Sequence, residues 1–167
     1  AEPGPFGDAQ HAFIERTHYR PAVDAVRAAK GLDLDSRHDA VREATWSISV
    51  QHGKASTILI TAINGCDRDV ERTAPGYDRA LVEAIYAARI DYVRGVAQNP
   101  KLSAAERKQL IGITQKRYPA ELADALALFG AAAPAPVVAA VPAPVAQPAP
   151  GNAGSIDGNK VAAQNGV

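Results

Sequence analysis

The sequence predicts an all-α protein. Apolar residues recur every three or four positions over most of the first 130 residues, helix-cap signals punctuate those runs, and no alternating strand or hairpin turn stands out. Thr57 to Ile60 is β-branched enough to be read either way. About seven helices follow in order. Asp8 caps a first helix running to about Thr17, and Pro21 suits the first turn of a second, which Gly31 closes. Ser36, with Asp39 three residues on, opens a third whose apolar stripe is Val41, Ala44, Thr45 and Ile48. Gly53 is its natural left-handed terminator. Ser56 caps a short apolar helix that Asn64-Gly65 ends, and the charged stretch from Cys66 to Gly76 reads as a loop.

Asp78 then begins the longest helix, with Leu81, Ile85, Ala88, Tyr92 and Val96 on its inner face. Ser103 and Glu106 form a capping box for the sixth, and Pro119 opens the seventh, with Leu122, Leu126 and Phe129 inward. Residues 1–130 thus make one helical domain. From Ala131 to Pro150 the chain is nearly all Ala, Pro and Val and holds six of the twelve prolines, so 131–167 are expected to be a disordered linker and tail.

Composition narrows the function classes. Eighteen basic and eighteen acidic residues leave no net charge, which argues against a nucleic-acid partner. No run reaches the length of an apolar membrane span. The chain starts at Ala1 and contains no methionine, so it is expected to be a processed or partial product. The single cysteine, Cys66, cannot pair internally, and Asp67 beside it would raise its thiol pKa; folding in a reducing cytoplasm is expected, with export as folded cargo still open. His11, His18, His38 and His52 share no metal-binding spacing, so no metal and no cofactor are expected.

Two segments carry the functional signal: Thr17-His18-Tyr19 before Pro21, and Trp46-Ser47 through Gln51-His52-Gly53. Both read as helix ends where aromatic, imidazole and amide groups gather, the composition with which a groove grips hydroxylated polymers. The candidate substrate-binding residues are Gln51, His52, Tyr19 and His18. His52 has two readings: it hydrogen-bonds a ligand, or it satisfies the last carbonyls of its own helix. Trp46 reads as core. Acid–base cleavage of glycosides needs two carboxyl groups flanking the bond, and Glu15, Asp24, Asp33, Asp35 and Glu43 are the candidates, although acidic residues on amphipathic helices commonly just face water.

Ala9-Gln10-His11-Ala12-Phe13-Ile14, Thr17-His18-Tyr19, Pro21-Ala22-Val23, Gly31-Leu32-Asp33-Leu34, Ala40-Val41, Trp46-Ser47, Val50-Gln51-His52-Gly53 and Ile85 to Arg89 keep a spacing that resembles a known group. It is similar to the C-terminal peptidoglycan-hydrolase domain of valine–glycine-repeat (VgrG) spike proteins of type VI secretion and to related effectors and lysins, over about residues 6–130. The resemblance implies a lysozyme-like or chitosanase-like helical fold, with cleavage of bacterial cell-wall glycan by a Glu/Asp acid pair. That pair lies ahead of the matching segment, so no catalytic role passes to a residue here, and Gln51, His52, Tyr19 and His18 are expected to form a cleft wall. It also implies peptidoglycan strands as partner, further domains or a secretion spike beyond either end, and an antibacterial protein delivered to the periplasm of a target cell. The alternative is a non-catalytic helical module that binds peptidoglycan or a partner protein.

Overall fold

A computed structural model describes residues 4–130; the expected disordered tail, 131–167, lies outside them. The described residues form α1 (Pro5–Ile14), a π-helical turn (Glu15–Tyr19), α2 (Arg20–Lys30), a 3-10 turn (Leu34–Ser36), α3 (Asp39–Gln51), α4 (Ala55–Asp69), α5 (Tyr77–Ala97) and α6 (Ala104–Ala127), with no strand among them. The all-α class is as expected. The count is six α-helices rather than about seven.

α5 is the central helix, packed on α3, α4 and α6, while α2 lies on α4. The core is aliphatic: Val23, Val26, Leu34, Val41, Ile48, Leu59, Ile63, Leu81 and Ile85 are essentially inaccessible. α3 buries the expected stripe of Val41, Ala44, Thr45 and Ile48. Its polar members are satisfied locally, Thr45 donating to the Val41 carbonyl at 2.7 Å and Ser49 to the Thr45 carbonyl at 2.8 Å. On α5, Leu81 and Ile85 point inward as expected, but Val93 and Ala97 are buried where Val96 is exposed.

Several boundaries differ from the local signals, each for a physical reason. Gly4 rather than Asp8 stands at the start of α1, because Pro5 at the first helical position is already set for helix; Asp8 falls in the first turn, where its charge suits the positive helix end. Ser36 is not the cap of α3: its hydroxyl donates to the Asp33 carbonyl, and His38 Nδ1 instead accepts from the Ala40 N–H at 3.2 Å. Gly53 is not left-handed; Gly31, at φ 62°, is the one positive-φ glycine among the described residues. α3 ends through an extended His52, and the His52 carbonyl accepts from the Ala55 N–H to start α4 at once.

α4 also runs through Asn64-Gly65 to Asp69, which replaces the expected loop start at Cys66. Interior glycine costs a helix about 1 kcal/mol, and the buried Ile63 and Cys66 on either side offset it. Pro119 lies inside α6 rather than opening a seventh helix, and α6, with 24 residues, is longer than α5, with 21. Pro119 and Gln115, whose carbonyl it leaves unpaired, both face water, so solvent replaces the lost bond. The Ser103–Glu106 capping box is present as expected.

Candidate functional site

The π turn follows from Pro21, which has no N–H for the carbonyl of Thr17 and crowds it with its ring. The backbone widens instead, and the Arg20 N–H reaches back five residues to the Glu15 carbonyl. The turn leaves His18 exposed and sends Tyr19 inward to 5% exposure. The two expected site residues therefore face different places.

Tyr19 belongs to a surface cleft of about 480 Å³. Its hydroxyl donates to Asp35 Oδ1 at 2.8 Å, and its ring lies 5.3 Å from that of Trp46. Trp46 is only partly buried rather than core, and His11 stacks on it at 4.5 Å with the ring planes 11° apart. Arg20 bridges two carboxylates there, meeting Glu15 Oε1 at 2.7 Å and Asp35 Oδ2 at 2.5 Å. Those oxygens take opposite sides of one planar guanidinium, which sets them on the order of 6 Å apart. That spacing suits a glycosidase pair. The bonding does not, because Arg20 and Tyr19 donate to these carboxylates and neither is presented as a proton donor. Burial first, then Asp35, pushes the Tyr19 phenol well above its usual range.

His18 and His52 come together across a second, smaller hollow of about 160 Å³, which Ser49 and Ser56 also line. Thr17 gives its hydroxyl proton to the Phe13 carbonyl at 2.7 Å, so its oxygen accepts from His18 Nδ1 at 2.7 Å. His18 Nε2 then remains open as an acceptor. Gln51, next to His52, is exposed.

Beneath the tip of α3 lies the residue that the sequence reading passed over. Arg89 of α5 has a side chain only 1% exposed and pairs with Glu121 of α6 at 2.9 Å. It also donates to Gln51 Oε1, and through Nε to His52 Nε2 at 3.3 Å. Its guanidinium carbon sits 4.0 Å from the centre of the Tyr118 ring, and the Tyr118 hydroxyl is 3.3 Å from His52 Nε2. Glu121 receives further donors from Arg117 at 2.5 Å and Ser47 at 3.3 Å. Burial works against its charge, yet Arg117 and Arg89 outweigh that and hold its carboxyl below the ordinary value. The His52 pKa is lowered too, but this favours its neutral form: burial first, then Arg89, pushes it down to about 4. A signal for Arg89 was present. Leu81, Ile85, Arg89 and Val93 recur every fourth residue, so the arginine stands on the buried face of α5.

Elsewhere the chemistry is structural. Cys66 is buried, and burial followed by Asp67 pushes its thiol up. No group of three His, Cys, Asp or Glu side chains among the described residues is placed to hold a metal ion. No helix among them is long and apolar enough to cross a membrane.

A family model described as "Type VI secretion system spike protein VgrG3-like, C-terminal" matches residues 1–111. The chain belongs to this family. It is 29% identical over 115 residues to the type VI secretion system spike protein VgrG3 of Vibrio cholerae serotype O1, an alignment covering 65% of the chain and 11% of that relative. The chain thus spans about a ninth of the length of the curated VgrG3. No solved structure matches it. Within this VgrG3-like family member, the matched residues include both helix-end segments and Arg89, whereas Tyr118 and Glu121 lie beyond the match.

Proposed function

We propose that this chain supplies one wall of a lysozyme-like cleft through which a secreted spike protein binds and cleaves the glycan of bacterial peptidoglycan. The supporting observation is the Arg89 cluster. A charge removed from water is expensive unless every donor is matched. Here that cost goes to fixing the Gln51 and His52 side chains at an accessible helix tip. Side chains held in one orientation lose little entropy when they bind, which is what a polymer-gripping wall requires.

In this reading Gln51, His52 and His18 hydrogen-bond the sugar chain. Tyr19 supports the Trp46–His11 stack in the neighbouring cleft, where a pyranose face can lie on aromatic surface. Cleavage needs a protonated carboxyl and an ionised partner. Glu15 and Asp35 are tied to Arg20, and in this reading the pair is supplied by polypeptide beyond this chain, as the resemblance implies. Membership in a type VI secretion spike family supports this reading, in which the chain works as part of an antibacterial effector in the periplasm of a target cell.

A second reading, a module that binds peptidoglycan or a partner protein without cutting, is favoured by the same Arg20 bridge. Purified cell walls separate the two. Loss of turbidity with release of reducing ends from the spike protein carrying this chain marks the hydrolase, and co-sedimentation without release marks the binder. Walls that neither bind nor clear overturn both.

A further inference from the structure

The Arg89 cluster does more than hold the α3 tip still, because it also fixes the polarity of the tip. Arginine has donors only. Its contact with Gln51 therefore engages the amide oxygen, and its Nε–H takes the lone pair of His52 Nε2. The groups left over are the Gln51 amide N–H bonds and the His52 Nδ1–H, and neither has a partner among the described residues.

We propose that Arg89 is a positioning residue that makes the α3 tip a donor-only subsite, selecting ligands that carry an amide carbonyl or carboxylate oxygen and rejecting free amines. This rests on the glycan-wall reading and names the chemical class its subsite takes: N-acylated or carboxyl-bearing sugars in preference to amino sugars. An acceptor oxygen finds a donor at either the Gln51 amide or the His52 Nδ1–H. An ammonium group meets the same donors with no lone pair to accept it. His52 stays neutral, and hence in this tautomer, because burial and Arg89 both oppose its protonation. His18 stands on the other side of the hollow and is not one of these donors to the ligand.

The test uses the whole 167-residue chain and two probes of equal length, an N-acetylated chito-oligosaccharide and its fully de-N-acetylated counterpart, at mildly acidic pH where the free amines are charged. Nitrogen-15 shifts of the imidazoles report the His52 tautomer, and titrations followed at the Gln51 side-chain amide report binding. The expected result is a His52 proton on Nδ1, with the de-N-acetylated probe binding about tenfold or more weakly. Arg89→Lys, which keeps the charge but loses the fork, narrows that preference; wild-type data alone decide the matter if the variant does not fold. Equal binding of the two probes, or a proton on Nε2, overturns the inference and leaves the wall reading standing. Failure of either probe and of murein to bind overturns both.

Discussion

At the Trp46 cleft and at the α3 tip alike an arginine stands between hydrogen-bond acceptors from separate elements, and the two differ in exposure. Arg20 at the Trp46 cleft has a side chain 45% exposed, whereas Arg89 beneath the α3 tip has 1%. In water, an arginine bridging two carboxylates contributes little to stability, since solvent competes for every bond. Out of water, each bond is strong and each unmatched partner is costly. The cleft can therefore rearrange around a ligand at small cost, while the tip cannot. Rigidity at the tip and adaptability at the cleft suit a wall that fixes one sugar and accommodates its neighbour.

Removing the buried arginine should have the largest effect. Arg89→Met leaves Glu121 half-paired and frees Gln51 and His52, and should cost about 3 kcal/mol or more in urea unfolding. A cost below that of a surface substitution would mean that the burial is incidental.

Acid comes next. The His52 imidazole binds its proton more weakly folded, at about 4, than unfolded, at 6.5. Stability is therefore full above pH 6.5 and falls as pH drops toward 4, because the unfolded chain takes up the proton first. The loss should reach about 2–3 kcal/mol, allowing for partial solvent screening. His52 is faced by Arg89 and Tyr92 of α5, by Tyr118 of α6 and, across the hollow, by His18, with Glu121 acting the other way. Measuring urea midpoints across that window in wild type and His52→Gln isolates the effect, since the variant should lose that part of the slope.

Trp46→Ala should be milder, about 2 kcal/mol, because the ring is only partly buried. Its signature should be local: amides of α1 exchange faster, since the His11 stack ties that helix to α3. The smallest effect belongs to Arg20→Gln, under about 1 kcal/mol. If Arg20→Gln proved as costly as Arg89→Met, the contrast between the regions would be lost.

How much of this was legible in the sequence depended on how local each signal is. The Ser103–Glu106 box, the Gly31 terminator and the α3 stripe rest on neighbours within a turn or two, and they read correctly. Asn64-Gly65, Gly53 and Pro119 are equally strong local punctuation and misled, because burial of Ile63 and Cys66, a three-residue link into α4 and solvent beside Gln115 outweigh them. Gln51, His52, His18 and Tyr19 were visible as chemistry, but the π turn that parts Tyr19 from His18 arises from the missing N–H of Pro21. Arg89 shows on the buried face of α5 once the four-residue spacing is followed. Its partners Gln51 and Glu121, 38 and 32 residues away, are set by helix packing alone.

The most direct measurement is a binding comparison on purified murein between wild type, Gln51→Ala/His52→Ala and Arg20→Gln, each first shown to be folded. The account predicts that the double substitution at the rigid tip abolishes most co-sedimentation, while Arg20→Gln retains most of it. Unchanged binding by the tip variant would contradict it, because the α3 tip would then have no part in holding the wall.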